Sequence, residues 1–357
     1  MKKRHKVSLI PGDGIGPEIM EATIRVLEAT GVQIDYELCL TGAAAEERFG
    51  SPLPEETLES LRKSGLGLKG PLIVKPGSTP VVMGQPARTY GSPNAALRGE
   101  CGIFANVRLA RRFIGIPCRF SDLAIDLVIV REVSEGIYVG GERKIGPDRA
   151  EAVVVATRDA AKRIAHFGFK LARKERRRKV TLVHKANVLP YTDGLYLKTF
   201  LEVAREYPEF TAEDRMIDAG AAQMVLNPAA YDVVIAPNQY GDILSDLAAA
   251  LIGGLGLGPG GNYGEKIVFF EACHGAAPDI AGRNIANPIG LILSAAMMLD
   301  YCGEQESAAR VRRAVEEFLK QGKELTPDLG GAGTTSGAAE AIVRLIKSAS
   351  SCYNEYH

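Results

Sequence analysis

Apolar and polar residues along the chain form two repeating patterns. Short apolar runs, beginning with Val-Ser-Leu-Ile at 7–10, predict buried strands, whereas apolar residues at helical spacing predict helices, the first from about residue 17 to 29. Further buried strands are predicted, with helices between them, at residues 127–130, 180–184 and 232–236. Strands that alternate with helices predict an α/β protein with a parallel or mixed sheet.

Three glycine-rich segments interrupt these patterns. Residues 65–77 are mostly apolar and predict one interior strand, whereas the prolines and glycines of residues 78–95 predict an irregular loop. The turn at 11–18 has glycines spaced G-x-G-x-G, which differs from the G-x-G-x-x-G of a Rossmann dinucleotide site. The sequence therefore argues against a Rossmann fold, and these glycines are expected to allow close approach of a ligand or a neighbouring strand.

The stretch from 238 to 261 predicts an apolar helix that carries two carboxylates. Asp242 and Asp246 are one turn apart, so their side chains project from the same face. Because Ile243, Leu244 and the alanines predict a buried helix, the two acids would repel each other unless a divalent cation lay between them. Alternatively, Asp242 caps the helix and Asp246 lies at a solvated edge. The helix by itself leaves both interpretations open.

The composition narrows the class of protein. A chain of 357 residues with 46% hydrophobic residues can form roughly two domains with sizeable cores. Lys plus Arg and Asp plus Glu number 43 each, so no net charge favours nucleic acid or a membrane surface. The six cysteines form no C-x-x-C pair, and the first apolar run is too short for a signal peptide or a membrane span. We therefore expect a cytoplasmic protein without nucleic-acid or membrane partners.

Several polar residues lie at strand ends or in loops. The arginines at 98, 108 and 131 are predicted on separate elements and together suit a small molecule with several negative charges. Lys185 follows a predicted strand, where ligand sites of α/β proteins form, and Tyr138 lies among glycines. Each has a simpler interpretation, as a surface ion pair, a surface lysine or an exposed tyrosine. The loop at 273–288 is either a cofactor loop or an ordinary connection.

Seven stretches of the chain together resemble one family, the β-decarboxylating dehydrogenases that act on isocitrate, isopropylmalate and homoisocitrate. The resemblance extends from Leu9 to about Gly331 and favours the metal interpretation of the two acids. Its closest form is the NAD-dependent isocitrate or homoisocitrate dehydrogenases. The stretches are LIPGDGIGPE, FANVR, HKANVLPYTDGLYL, NQYGDILSDLAAALIGGLGL, HGAAPDIAGRNIANP, SAAMMLDY and TPDLGG.

The resemblance implies an α/β fold of two domains around a cleft, distinct from the Rossmann fold. Residues 1–102 and 253–357 would form a large discontinuous domain on the cofactor side. Residues 103–252 would form a smaller domain with the dimer interface and a β-arm. It also implies a homodimer with shared active sites, with a tetramer as the alternative.

The resemblance also implies roles for individual residues. Asp242 and Asp246, with Asp218 of the partner subunit, would hold Mg²⁺ or Mn²⁺. The arginines Arg98, Arg108 and Arg131 would bind substrate carboxylates, Lys185 of the partner subunit would act near the C2 hydroxyl, and Tyr138 would protonate the enolate. The implied NAD-binding residues are Thr79, His274, Gly275, Ala276, Ala277, Asp279, Ile280 and Asn287.

Substrate and cofactor follow from finer features of the resemblance. Isocitrate enzymes have Ser-x-Asn-x-x-x-Arg where isopropylmalate enzymes have leucines, and here the pattern is present as Ser92, Asn94 and Arg98. Isocitrate is therefore the first choice and homoisocitrate the second, with isopropylmalate and tartrate as further possibilities. At Asp279 and Ile280, NADP-using relatives have Lys and Tyr, so NAD is expected.

Two departures from the family pattern bear on the substrate. Val133 and Ser134 replace an Asn-Thr pair, and residues 87–91 form an apparent insertion in the loop that reads the variable group of the substrate. A non-catalytic regulatory subunit is a further alternative. However, such subunits tend to lose ligating and proton-transfer residues, all of which this chain retains.

Overall fold

A computed structural model describes residues 3–74, 81–83, 87–116, 118–120 and 122–354. The strands, in chain order, are β1 Arg4–Ile10, β2 Gln33–Leu38, β3 Leu66–Lys69, β4 Val81–Met83, β5 Arg88–Tyr90, β6 Ile103–Arg111, β7 Asp126–Glu132, β8 Glu142–Lys144, β9 Ala150–Ala152, β10 Lys179–His184, β11 Thr211–Met216, β12 Val233–Ala236, β13 Pro259–Gly264 and β14 Val268–Ala272.

The helices lie between these strands and after the last of them. They are α1 Gly16–Ala29, α2 Ala43–Phe49, α3 Glu55–Ser64, α4 Pro93–Glu100, α5 Arg158–Lys174, α6 Asp193–Ala204, α7 Ile217–Leu226, α8 Asn238–Leu251, α9 Ile289–Tyr301, α10 Gln305–Gln321 and α11 Thr335–Asn354. The predicted α/β class is confirmed. Within the described ranges, no helix is long and apolar enough to cross a membrane.

The chain divides into two compact units. The first consists of Met1–Cys101, Phe113–Ser121 and Ile252–His357, and the second of Gly102–Arg112 and Asp122–Leu251. The segment 113–121, which falls within the second domain of the sequence prediction, is grouped here with the first unit. A Cβ on Gly115 would lie 2.7 Å from the carbonyl oxygen of Leu319, so this segment runs directly against the end of α10.

The first unit contains a mostly parallel sheet. Strand β1 pairs in parallel with β2 and β3, β3 pairs in parallel with β14, and β13 joins β14 in antiparallel orientation. Helix α9 packs against β13 and β14 as well as α1 and α10, and all its residues from 289 to 299 are buried. A helix that is apolar on every side is typical of a core position. It therefore anchors the interior of this unit.

The second unit contains its own arrangement of strands. Strands β7, β12, β10 and β11 are parallel neighbours, and β6 pairs with β7 in antiparallel orientation. Helix α8 packs on β6, β7 and β12 and buries Gly241, Leu244 and Ala248 at helical spacing. The expectation that Ile243 is buried is wrong, because its side chain is 58% exposed. Helix α8 thus has one buried face and one open face that carries apolar and acidic residues.

The structure differs from three sequence predictions between residues 65 and 95: a long strand, an irregular loop and an insertion. Strand β3 ends at Lys69, and beyond it the Pro71 carbonyl accepts the Asp13 amide, so the strand predicted over 65–77 is too long. Its last three residues, 75–77, lie outside the described residues. In the segment predicted as a loop, β4 and β5 form an antiparallel pair and α4 begins at Pro93. The residues that seemed inserted therefore include strand β5, which is tied to the end of α4 by a hydrogen bond of 2.8 Å from Tyr90 Oη to Glu100 Oε1.

Candidate active site

The glycine-rich turn after β1 is fixed by its own aspartate. The buried Asp13 carboxylate accepts the Ala43 amide at 2.8 Å through Oδ1 and the Ile73 amide at 2.8 Å through Oδ2. Gly14 has φ of +59°, and a Cβ there would lie 2.0 Å from the Ala276 carbonyl oxygen. The Ile15 amide donates to that same carbonyl at 2.9 Å. The turn is therefore packed against the loop that follows β14.

The loop after β14 contains most of the residues expected to bind NAD. His274 Nδ1 lies 3.0 Å from the Gly275 carbonyl oxygen, Ala276 is buried, and Ala277 has φ of +37°, a backbone region that L-residues rarely adopt. Asn287 donates to Asp328 Oδ2 at 2.9 Å. Thr79, the remaining expected contact, lies outside the described residues.

Asp279 and Ile280 are the two residues on which the NAD expectation depends. Asp279 is exposed, and its carboxylate forms no hydrogen bond or ion pair with the residues that the structure describes. The turn at this point is closed by backbone, from the Ile280 amide to the Ala277 carbonyl at 3.1 Å. Backbone rather than the Asp279 side chain therefore closes this turn, and the carboxylate is open to solvent.

Helix α4 carries the residues expected to read the substrate. Ser92 is the N-cap, and its Oγ accepts the Ala95 amide at 3.1 Å. Asn94 and Arg98 are one turn apart and share a face, whereas Ala96 and Leu97 are buried in the core of the first unit. The helix thus presents an amide and a guanidinium on one side of an otherwise buried element.

Arg131 at the end of β7 is held by α8. Its Nε and Nη2 donate to Asn238 Oδ1 at 3.0 and 2.8 Å, and its Nη1 forms a very short ion pair with Asp242. A Cβ on Gly241 would lie 2.6 Å from Arg131 Cβ, so the absence of a side chain there lets the arginine cross the helix. Arg108 on β6 is also buried and donates from Nε to Asn106 Oδ1 at 2.8 Å.

Asp242 and Asp246 lie on the same side of α8, as predicted from their spacing. Reduced hydration, followed by the negative charge of Asp242, raises the pKa of Asp246, whereas the nearby Arg108 and Arg131 act in the opposite direction. Two neighbouring carboxylates repel each other and gain from a dication, and an all-oxygen donor set suits Mg²⁺ or Mn²⁺. The residues therefore fit a hard divalent metal.

One chain does not supply a complete metal site within the described residues. No three acidic, histidine or cysteine side chains cluster there as metal ligands, so Asp218 does not join Asp242 and Asp246 in the same chain. Asp218 instead pairs with Lys185, with 2.6 Å between Oδ2 and Nζ, and this bond lowers the pKa of Asp218. Within one chain, the expected site residues therefore form two separate pairs, Asp242 with Asp246 and Asp218 with Lys185.

Lys185 is positioned by groups that the sequence did not single out. Its backbone amide donates to Asp193 Oδ2 at 2.6 Å, and Asp193 is buried. Burial and then the charge of Asp193 raise the pKa of the nearby Tyr240. The preceding His184 is buried; its Nδ1 lies 3.0 Å from the Ala186 amide and its Nε2 lies 2.9 Å from Asp214. Because Nδ1 accepts the amide proton, Nε2 carries the ring proton.

Tyr138 lies beside the acid pair. Its ring centroid is 5.7 Å from Arg131 Cζ, and the negative charge of Asp242 acts on its hydroxyl. Partial burial and then the charge of Asp242 raise the pKa of Tyr138, while Arg131 opposes that shift. Because its pKa is raised, the hydroxyl is protonated at neutral pH. The side chain is 49% exposed, so it is also accessible. It can act as a proton donor.

Comparison with known proteins places this site in a family. The model of the isocitrate/isopropylmalate dehydrogenase family matches residues 6–343. A 3-isopropylmalate dehydrogenase of Archaeoglobus fulgidus is 45% identical over 96% of this chain and 99% of its own length. An isocitrate/homoisocitrate dehydrogenase of Thermus thermophilus is 44% identical over the same shares. The crystal structure of isocitrate dehydrogenase from Methylococcus capsulatus, 47% identical, superposes with a TM-score of 0.90 over 96% of this chain and 99% of that chain.

The chain belongs to the isocitrate/isopropylmalate dehydrogenase family. The resemblance drawn from the seven sequence stretches is thereby confirmed, and the family's decarboxylating dehydrogenases define the class of enzyme. Relatives of nearly equal identity carry different substrate names, so overall identity does not select a substrate.

Proposed function

We propose that the protein is an NAD-dependent, metal-dependent dehydrogenase that converts isocitrate to 2-oxoglutarate and CO₂. The observation that carries the choice of substrate is α4, where Ser92 and Asn94 provide polar groups beside Arg98. A third carboxylate can be received there by a hydroxyl, an amide and a guanidinium. An isopropyl group would leave those polar groups without partners, which disfavours binding.

The chemistry assigned to the chain begins with binding of three negative charges by Arg98, Arg108 and Arg131. The divalent cation, when bound by Asp242 and Asp246, would polarise the C2 hydroxyl and stabilise negative charge on its oxygen. Lys185 of the partner subunit, in its neutral amine form, would take the hydroxyl proton, and the C2 hydride would go to the bound NAD. The β-keto acid then loses CO₂, and the electron pair left at C3 takes a proton from the Tyr138 hydroxyl.

The choice of NAD follows from Asp279. An exposed carboxylate without a partner among the described residues can accept both hydroxyls of the adenosine ribose. The same charge repels a 2′-phosphate, so it discriminates against NADP. Exposure of the group also limits the effect, because solvent screens charges at the surface.

The separation of Asp218 from the other two acids among the described residues supports a homodimer with shared sites. The homodimer supplies Asp218 and Lys185 from the second copy to each acid pair. Homoisocitrate is the second candidate, because its third carboxylate would meet the same Ser92 and Asn94. A regulatory role is disfavoured because Tyr138, Lys185 and the three aspartates are all retained.

Steady-state assays with isocitrate, homoisocitrate, isopropylmalate and tartrate test this proposal, each with NAD and NADP and with Mg²⁺ or Mn²⁺. Isocitrate with NAD is expected to give the highest kcat/KM. The double variant Ser92→Leu with Asn94→Leu should raise KM for isocitrate by about tenfold or more, since charged hydrogen bonds are lost.

Ser92→Thr is the matched control, because it keeps both the hydroxyl and the helix cap. It should retain KM for isocitrate within a few-fold. Higher kcat/KM with isopropylmalate than with isocitrate would contradict the choice of substrate. Absence of turnover with all four acids would contradict the enzymatic proposal itself.

A further inference from the structure

The loop between β14 and α9, residues 273–288, is attached to other parts of the first unit at both of its ends. Near its start, the Ala276 carbonyl accepts the Ile15 amide at 2.9 Å. Near its end, Asn284 contacts both α1 and α11. Asp279, on which the choice between NAD and NADP depends in the proposed function, lies between these two attachments. The attachment at Asn284 therefore limits where the Asp279 carboxylate can lie.

Each backbone and side-chain polar atom of Asn284 takes part in this attachment. Its amide donates to Glu18 Oε2 in the first turn of α1 at 3.0 Å, and its carbonyl accepts the Thr335 amide at 2.9 Å. Its side-chain Nδ2 donates to Ser336 Oγ at 2.9 Å, and its Oδ1 accepts the Ser336 amide at 3.0 Å. One residue of the loop therefore links the first turns of two helices.

The bonds to α11 satisfy backbone groups that a helix cannot satisfy by itself. The first amides of a helix have no carbonyl partner within it. In α11, Thr334 Oγ1 accepts the Gly337 amide at 3.0 Å, as an N-cap side chain does. The amides of Thr335 and Ser336 are instead accepted by Asn284. The loop thus completes the start of α11, and the helix in turn fixes the end of the loop.

The backbone conformation of Asn284 explains why asparagine suits this position. Its φ is +57°, in the left-handed region that most side chains disfavour and that asparagine tolerates better than most. Glycine would adopt this conformation with less strain, but it has no side chain to bond Ser336. Alanine would lose the same bonds and add strain. A left-handed backbone combined with side-chain bonds to a helix therefore favours asparagine.

We propose that Asn284 is a positioning residue for Asp279, and that its side-chain bonds to Ser336 hold the loop in the form that distinguishes NAD from NADP. This inference rests on the proposed function, in which Asp279 accepts the ribose hydroxyls. Asn284 acts through the loop and not by contact with the cofactor. If the loop is released at this end, the exposed Asp279 carboxylate can move away from the ribose. Its attraction for NAD and its repulsion of a 2′-phosphate then both weaken.

Asn284→Gly is the decisive variant, because it removes both side-chain bonds and keeps the left-handed backbone. The dissociation constant of NAD, measured by calorimetry, should rise about fivefold, since two hydrogen bonds at a partly exposed site are lost. The preference for NAD over NADP in kcat/KM should fall from about tenfold to about threefold or less. The value of kcat at saturating NAD and KM for isocitrate should both stay within about twofold of the wild type. A loss of global stability alone would not change the cofactor preference.

Ser336→Ala tests the same contact from the side of α11. It removes the Oγ acceptor and keeps the Ser336 amide, so the dissociation constant of NAD should rise less, by about twofold. The double variant Asn284→Gly with Ser336→Ala should be no more impaired than Asn284→Gly, because the shared bond is already absent. Additive losses in the double variant would overturn the proposal. An unchanged cofactor preference in Asn284→Gly would overturn it as well.

Arg25→Met is the matched control, since it breaks a different link between the same two helices. Arg25 on α1 pairs with Glu21 at 2.6 Å and with Glu340 on α11 at 3.7 Å. This variant should leave the dissociation constant of NAD and the cofactor preference within about twofold of the wild type. Shifts as large as those of Asn284→Gly would overturn the proposal, because helix packing rather than Asn284 would then position the loop.

Hydrogen exchange without cofactor separates failure of this inference from failure of the proposed function. The Ile280 and Arg283 amides donate to the Ala277 and Ile280 carbonyls at 3.1 and 3.2 Å. Their protection should fall about fivefold in Asn284→Gly and stay unchanged in Arg25→Met. If the wild type prefers NADP or turns over no substrate, the proposed function fails, but reduced protection still supports the attachment of the loop by Asn284. Unchanged protection overturns that role whatever the cofactor is.

Discussion

Asp13→Ala is expected to lower the local stability of the glycine-rich turn after β1, which packs against the loop that follows β14. The Asp13 carboxylate links three segments of the chain. Asp13 itself lies in the turn after β1, and its carboxylate accepts hydrogen bonds from the backbone amides of Ala43 and Ile73 at 2.8 Å each. Alanine removes both acceptors and offers no replacement. The turn itself also contacts the Ala276 carbonyl through the Ile15 amide.

The size of the effect follows from the two orphaned donors. A buried donor without a partner costs roughly 1–3 kcal/mol, and bonds to a charged acceptor lie at the upper end. Water can reach both amides in part, since Ala43 is exposed and Ile73 is half-buried. We therefore expect a loss of about 3 kcal/mol in local stability. KM for NAD should rise as well, because Ala276 is among the expected cofactor contacts.

Hydrogen exchange is the suitable assay, because a chain of two units need not unfold in a single transition. Protection of the Ala43 and Ile73 amides should fall by about two orders of magnitude in Asp13→Ala, in line with that energy. Asp35→Ala is the control, since the Asp35 side chain forms, among the described residues, only an exposed ion pair with Arg4 at 3.5 Å. This substitution should change stability by less than about 0.5 kcal/mol. Equal protection in the two variants would refute the assigned role of Asp13.

Three further predictions concern the chemistry. Asp242→Asn should abolish turnover at ordinary metal concentration and weaken Mn²⁺ binding, measured directly by calorimetry, by about tenfold or more, since a charged ligand is lost; unchanged binding would remove Asp242 from the metal site. Tyr138→Phe should slow conversion of the β-keto acid more than hydride transfer, as judged by supplying that acid as substrate, because the proton held by the raised pKa is lost; equal slowing of both steps would argue against a proton donor. The wild type should prefer NAD by about tenfold in kcat/KM, and Asp279→Lys with Ile280→Tyr should shift preference towards NADP; a wild type that uses both cofactors equally would contradict this reasoning.

Local signals predicted the helices better than the glycine-rich strands. The helix expected from about residue 17 to 29 is α1, because proline favours the first turn and apolar residues recur at helical spacing. Strand β13 has the sequence PGGNYG and was not predicted, since strand patterns depend on apolar or β-branched side chains. It forms because glycines allow close contact with aromatic rings, with a Cβ on Gly261 lying 3.0 Å from the rings of Phe270 and Tyr263.

The candidate site was predictable only where a family motif carried it. Asp242 and Asp246 were singled out by spacing, but spacing left two interpretations open until the resemblance was considered. Asp13, Lys69 and Glu271 were not identified as site residues, although each lies in or beside a stretch that was noted. Their contacts depend on partners far away in sequence, since Glu271 on β14 pairs with both Lys69 on β3 and Arg98 on α4. A lysine at the end of an apolar strand is the local signal that points to Lys69.

The cations assigned to substrate or catalysis share a feature that the sequence does not display, namely that three of them already pair with a carboxylate. Arg98 pairs with Glu271, Arg131 with Asp242 and Lys185 with Asp218. The exposures differ, because the Glu271 side chain is 8% exposed whereas those of Asp242 and Asp218 are 44% and 67% exposed. Breaking a buried pair leaves an uncompensated charge and is costly, but an exposed pair exchanges partners at little cost. The pair with Glu271 is therefore suited to persist and orient Arg98. The exposed carboxylates of Asp242 and Asp218 exchange partners more readily, whereas the Arg131 side chain is only 7% exposed and stays held by its two hydrogen bonds to Asn238.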